Sequence, residues 1–435
     1  MRRKRSLKEL RQKWHKEKVE ATTSKRKRKI RTKKEKPQET TPSREHKTFA
    51  QKLRNARAKS RNRQKDVAPA VPPFSFSSFK IYDDYKYNGK KLVICHIIES
   101  LGLGGAQTMM MELVNGLNRY YGDHCDNIFL CVNKKSKQSL SKTLYRSYGI
   151  SPQQCRRSDL FAFCDEHKVD VVVHHRISLS DCVRSLLPPD TKYILINHTW
   201  NRMDQMRFFR RCDAYVSVCK FLHDKTKWAP GSSRSRRFVI LNGIENNYLD
   251  DIEPANLEGD FITGRCHRLT IGKFKIKSID WLDELSKKIP GFHHHLIGAH
   301  KKAKARCSEV NSSTYHGAIN NLQKKMSMIK AFDVYFYDTY ADEGASIALL
   351  ESLAAGVPVL TKGLGGCPEL VVDGLNGYIV NRPDSCAKMM KKLARKHEML
   401  KILKKTTLED FNNRLHVRHT ACKYMQLFEA LTKNA

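Results

Sequence analysis

No run of apolar residues in this 435-residue chain is long enough to span a bilayer, and no apolar h-region follows the first methionine. A membrane-spanning anchor and a secretory leader are therefore not expected, and a cytoplasmic setting is. No Cys-x-x-Cys pair occurs among the 13 cysteines, and their number is odd. That pattern fits reduced thiols better than a disulfide framework or a structural zinc site. Acidic residues are also scarce, with 44 Asp and Glu against 81 Lys and Arg, a formal charge of +37.

The shortage is uneven. Residues 1–66 hold 27 Lys or Arg against 7 Asp or Glu and few apolar side chains. Such a stretch cannot bury enough surface to offset its ordering entropy. Residues 1–80 therefore read as a basic, largely disordered extension, closed by the proline-rich linker Ala68–Pro73. Three readings of this tail stay open: nucleic-acid binding by phosphate neutralisation, docking on an anionic membrane face, or a solvated minor extension. The run KRKRK at Lys25–Lys29 adds a nuclear address if the host has a nucleus. His293–His295 runs directly into Leu296 and Ile297 and reads as a strand, not as a metal site.

What is present is concentrated in Tyr340–Val380. Ile347, Leu350 and Ala354 recur at helical spacing, Gly356 suits a left-handed helix end, and Pro358 forbids continuation. Val357, Val359 and Leu360 then form a short buried strand, and Gly363, Gly365 and Gly366 a loop before another helix. Glu343 falls at the first helix's mouth, where unpaired backbone N–H groups gather, and Glu351 about two turns deeper. Both can point into one crevice. Upstream, Lys91–Glu99 is a strand apolar enough to be buried on both faces, followed by the glycine loop Ser100–Gln107 and a helix over Thr108–Leu117. Further strands are expected at Asn127–Val132, Asp170–His175 and Tyr193–Asn197, the last delivering His198 to the ligand side of an open α/β sheet. Asn242-Gly243 reads as a hinge. Arg268–Lys277 is expected to be a strand entering a basic loop, Met326–Asp333 a helix, and Leu408–Leu431 a long helical stretch.

The string ADEGASIALLESLAAGVPVLTKGLGGCPELVVDGLNGYIV resembles the signature of glycosyltransferase family 4: retaining, nucleotide-sugar-dependent enzymes of the GT-B fold. It carries an acidic-Gly start, a second Glu, Ala-x-Gly-x-Pro-Val, a Gly-Gly loop, Glu, and Asp-Gly-x-x-Gly. Gly104-Gly105-Ala106-Gln107 resembles the family's Gly-Gly-Ala-Glu, with Gln107 in place of Glu. FVILNGI at Phe238–Ile244 resembles its Val-Ile-x-Asn-Gly-Ile. The family also has a Gly-Arg followed by Lys, both aimed at the diphosphate; Gly272-Lys273 and Lys277 stand for these, and Ser278 for the following Gly.

The resemblance implies an α/β protein of two Rossmann-like domains facing across a crevice. Residues 90–260 would hold the acceptor, residues 261–405 the nucleotide-sugar donor, and residues 406–435 a helix crossing back to the first domain. It implies catalytic roles for His198 and Glu343, and ribose binding by Glu351. Ala345 and Ser346 would lie beside the donor sugar, and Gly104, Gly105, Lys273, Lys277 and Gly366 about the diphosphate. No metal and no cofactor beyond the donor substrate are expected. The acceptor is left open among glycan, lipid-linked glycan, protein and modified DNA. Two other readings remain: a nucleic-acid- or membrane-binding protein on a catalytically decayed core, and an epimerase or phosphorylase sharing the GT-B architecture.

Overall fold

The computed structural model describes residues 85, 87–99, 101–102, 104–132, 149–176, 183–199, 212–226, 237–270 and 272–433. The basic extension, with KRKRK, lies outside the described residues.

Two parallel sheets organise the rest. The first contains β1 (Leu92–Ile98), β2 (Cys125–Cys131), β3 (Gln153–Gln154), β4 (Val171–Arg176), β5 (Lys192–Asn197), β6 (Ala214–Ser217) and β7 (Arg237–Val239). Their spatial order is β3-β2-β1-β4-β5-β6-β7. The second contains β8 (Phe261–Cys266), β9 (Phe292–Ile297), β10 (Ser313–Gly317), β11 (Val334–Tyr337), β12 (Val359–Thr361) and β13 (Gly377–Ile379), ordered β10-β9-β8-β11-β12-β13. Every pairing is parallel. Parallel strands need crossovers and are covered on both faces, which explains why LVICHII and FHHHLI are buried nearly throughout. His293–His295 thus sit in a strand, as expected.

The crossovers and flanking helices are α1 (Gly105–Tyr121), α2 (Leu160–Glu166), α3 (Lys220–Thr226), α4 (Lys277–Ser286), α5 (Lys301–Cys307) and α6 (Leu322–Lys330). They continue with α7 (Ile347–Ala354), α8 (Cys367–Leu370), α9 (Pro383–Arg395), α10 (His397–Arg414) and α11 (Val417–Thr432). No helix among the described residues is long and apolar enough to cross a membrane. Strand order reverses between β1 and β4 in one sheet and between β8 and β11 in the other. Ligands of open α/β sheets bind outside the carboxyl ends of strands at such points.

The two faces of the second sheet are distinct. Tyr335 and Tyr337 pack with Met326 and Ile329 of α6 and Leu349 and Leu350 of α7. Val334 and Phe336 pack on the other side with Leu282 and Leu285 of α4 and Cys386 and Met390 of α9.

Several expectations need correction. The strand placed at Arg268–Lys277 is β8, upstream at Phe261–Cys266, where β9 and β11 both offer ladder partners. After it the chain turns tightly, with Lys273 N and Phe274 N donating to Thr270 O. The helix placed at Met326–Asp333 is Leu322–Lys330, because Asn321 caps it by accepting from Lys324 N. The helix placed at Thr108–Leu117 extends over Gly105–Tyr121. The long terminal helix is two, α10 and α11. Between them Leu415 O accepts from Ile244 N at 3.2 Å and Ile244 O accepts from Val417 N at 2.9 Å, so the inter-sheet segment interrupts the helical ladder. His416 then caps α11 by accepting from Arg418 N. α11 lies on α1, where a side chain at Gly116 would meet Val417 Cγ2 at 2.7 Å. Gly356 takes φ +67°, the left-handed helix end expected of it.

Candidate active site in the crevice

The loop from β11 to α7 supplies the centre. Tyr337 ends β11, and its hydroxyl donates to Glu343 Oε2 at 2.7 Å. Lys273, from the turn after β8, forms an ion pair with Glu343 Oε1 at 2.6 Å. Burial and the Glu343 charge push the Tyr337 phenol well above its ordinary range, so it remains a donor. Gly365 holds the loop from behind. At φ +60° it lies so close that a Cβ would sit 2.3 Å from Glu343 O. Gly366 N donates to that same carbonyl at 2.8 Å and begins α8.

The first sheet meets this loop directly. A side chain at Gly344 would lie 3.0 Å from His198 O and 2.9 Å from Leu222 Cδ1. His198 is buried, its ring stacked on His175 at 5.5 Å, and its Nε2 has no hydrogen-bond partner among the described residues. Burial lowers its pKa to about 4, so the imidazole is neutral near pH 7. His175 in turn meets His96, Nε2 to Nδ1, at 3.3 Å.

Two helix amino termini converge here. Gly104 precedes α1, and a Cβ on Gly105 would lie 3.8 Å from Ile347 Cγ1 at the start of α7. A Cβ on Gly104 would lie 3.2 Å from Arg268 Nη2. Ala345 and Ser346 are buried just before α7, with Ser346 Oγ 3.5 Å from the Tyr337 hydroxyl. Asn242 of the inter-sheet segment reaches Ala345 O at 3.3 Å.

Of the residues singled out from sequence, His198, Glu343, Gly104, Gly105, Lys273, Ala345, Ser346 and Gly366 thus belong to one connected set. Glu351 sits a turn into α7 and is paired with the half-buried Lys325 of α6 at 2.6 Å. Lys277 is not in that set. It opens α4 and lines a cavity on the Phe336 face of the sheet.

Two cations escaped the sequence reading. Arg268 was taken as part of a strand. Arg265 is fully buried at the end of β8, stacked against Phe274 and Tyr337, with Nη1 lacking a partner among the described residues. Both lie before the turn that carries Lys273, and no spacing signal singled them out. Among the described residues, no group of three or more His, Cys, Asp or Glu could hold a metal ion.

Comparison with known proteins bears on the family and the fold. Residues 253–410 match the family described as Glycosyl transferases group 1. An uncharacterized glycosyltransferase of Methanocaldococcus jannaschii is 24% identical over 124 residues, 28% of this chain. That alignment spans 32% of the relative, about a third of its length. An uncharacterized 41.2 kDa protein in the cps region of Klebsiella pneumoniae is 22% identical over 327 residues, covering 67% of this chain and 87% of that protein. Among solved structures, a glycosyltransferase from Rickettsia africae superposes with a TM-score of 0.64 at 14% identity, covering 80% of this chain and 100% of that one. Anabaena HepE, solved with UDP and glucose, gives 0.60 at 15% identity, covering 78% and 100%. The pneumococcal O-GlcNAc transferase GtfA, solved with UDP and GlcNAc, gives 0.61 at 10% identity, covering 78% and 99%. The shared architecture is the GT-B fold.

Proposed function

We propose that this chain, which carries a group 1 glycosyl transferase domain at residues 253–410 within a GT-B fold, is a retaining glycosyltransferase using a nucleoside-diphosphate sugar. One observation carries the reading: the amino termini of α1 and α7 face each other across the crevice beside Lys273, Arg268 and Glu343. Converging helix amides and cations suit a departing diphosphate, whose negative charge grows in the transition state. UDP is the favoured nucleotide, because HepE was solved with UDP-glucose and GtfA with UDP.

In this reading the diphosphate lies against the α1 and α7 amides, with Lys273 and Arg268 as its cations. Lys273 leaves Glu343 for the phosphate, and the freed carboxylate accepts from a donor-sugar hydroxyl. Glu351 accepts from the ribose hydroxyls, exchanging part of its contact with Lys325. Neutral His198 accepts or donates a hydrogen bond at the sugar without a charge to neutralise. The acceptor hydroxyl attacks from the side the diphosphate leaves, its proton passing to a departing phosphate oxygen, so configuration is retained. Lys273, Arg268 and the helix termini supply the positive charge for departure, and a metal ion is not part of the proposal. The acceptor is a glycan, lipid-linked glycan, protein or modified DNA.

Calorimetric titration of the full chain with UDP-, GDP- and ADP-sugars tests this. One nucleotide sugar should bind, and Glu351→Gln should weaken it at least about tenfold, the scale of a lost hydrogen bond to a charged group. Absence of binding by any donor, with salt-sensitive binding to DNA or anionic vesicles, would favour the decayed-core reading instead.

A further inference from the structure

The cavity that takes up Lys277 shares Tyr337 with the site above but opens on the other face of the second sheet. It measures about 150 Å³ and is lined on its floor by Trp281, Phe336, Val380 and Cys386. These residues belong to the face of the second sheet that α4 and α9 cover, whereas Lys325 and Glu351 lie on the side of α6 and α7. The sheet therefore separates the cavity from the carboxylate proposed to hold ribose.

Its rim is polar and organised around Asp338, which is buried. Asp338 Oδ2 accepts from Ser278 Oγ at 2.9 Å and from the Tyr340 hydroxyl at 2.6 Å, and Lys362 pairs with Oδ1. Those three contacts occupy both oxygens of the only acidic group that lines the cavity among the described residues. The Tyr340 ring is held between two ammonium groups, Lys362 at 3.7 Å and Lys275 at 3.8 Å from its centroid. Lys277 and Arg382 also border the cavity, and neither makes an ion pair among the described residues. The mouth thus carries an excess of positive charge over an apolar floor.

We infer that this cavity is a second ligand site, for a single hydrophobic ring bearing a phosphate or carboxylate group. The volume is that of a cavity that accepts one benzene-sized ring. The ring would sit over Trp281 and Phe336, and the anion would reach Lys277 and Arg382 at the mouth. A larger dinucleotide-like ligand does not fit, and a cation meets the wrong charge. Because Asp338 and Tyr340 precede the Glu343 loop in one continuous segment, an occupant bears directly on the segment that carries Glu343.

The test is calorimetric titration of the full chain with phenyl phosphate, and separately with inorganic phosphate. Phenyl phosphate should bind one-to-one and more tightly than inorganic phosphate. Arg382→Glu, a change at an exposed position, should weaken it about tenfold. Lys273→Glu, in the other site, should leave it unchanged. Equal affinity for the two probes would overturn the ring pocket. An effect of Lys273→Glu as large as that of Arg382→Glu would place the probe in the crevice and overturn a separate site. No saturable binding of phenyl phosphate would overturn the inference outright.

Discussion

At the scale of the residue, burial decides which groups carry charge. His96 and His198 are lowered to about 4 and His175 well below its ordinary value, in each case chiefly by desolvation. Such groups bind a proton in the unfolded chain near pH 6.5 but not in the folded one. Stability should therefore hold above pH 6.5 and fall as the pH drops toward 4. Thermal denaturation should show this loss, and His198→Asn should flatten it; equal slopes in the two proteins would contradict the assignment. Glu245 acts in a different window. Its pKa is held down to about 2, against the opposing effect of burial, by the His416 contact at 3.0 Å and by amides of Asn246 and Asn247. Its contribution is present above about pH 4.5 and lost only as pH falls toward 2. The Glu351–Lys325 pair makes a third case. Glu351→Ala leaves a half-buried ammonium unpaired and should cost about 2 kcal/mol. Adding Lys325→Met should restore most of that in denaturant titrations, and no recovery would refute the pairing.

At the scale of the element, the inter-sheet segment governs how the carboxyl-terminal helices dock. A Cβ at Gly243 would lie 2.7 Å from Leu415 O and 2.7 Å from Thr420 Oγ1. Gly243→Ala should destabilise by roughly 1–3 kcal/mol through overpacking. Hydrogen exchange should rise selectively across residues 417–432; uniform protection would show that the docking is not made there. This junction also marks the limit of what the sequence disclosed. The Tyr340–Val380 string was legible because caps, glycines and helical spacing are local signals, and Gly356 behaves as its neighbours demand. The split between α10 and α11 was not, because it depends on backbone bonds to Ile244 from far along the chain. The strand before the basic loop was misplaced for a similar reason. Thr270–Lys277 has strand-like composition, yet only Phe261–Cys266 finds partners on both sides. The pairing of Glu343 with Lys273 and of Glu351 with Lys325 joins separate elements, and neither spacing announces it.

At the scale of the whole molecule, the two sheets are tied at several points around the crevice. Glu369, from the second sheet's side, accepts from Lys220 N at 2.6 Å and Phe221 N at 2.7 Å at the start of α3. A carboxylate at a helix amino terminus is favourably placed. Glu369→Ala should loosen closure, which small-angle scattering would register as a larger radius of gyration and a donor assay as a weaker affinity. Unchanged scattering would mean that the other contacts suffice.

The measurement that tests the central claim most directly is release of nucleoside diphosphate from a panel of UDP-, GDP- and ADP-sugars by the wild type beside Glu343→Gln. The account predicts turnover of one donor, slowed in the variant by about 10²-fold or more, the scale of losing a transition-state contact. No release from any donor, or equal release by both proteins, would contradict it.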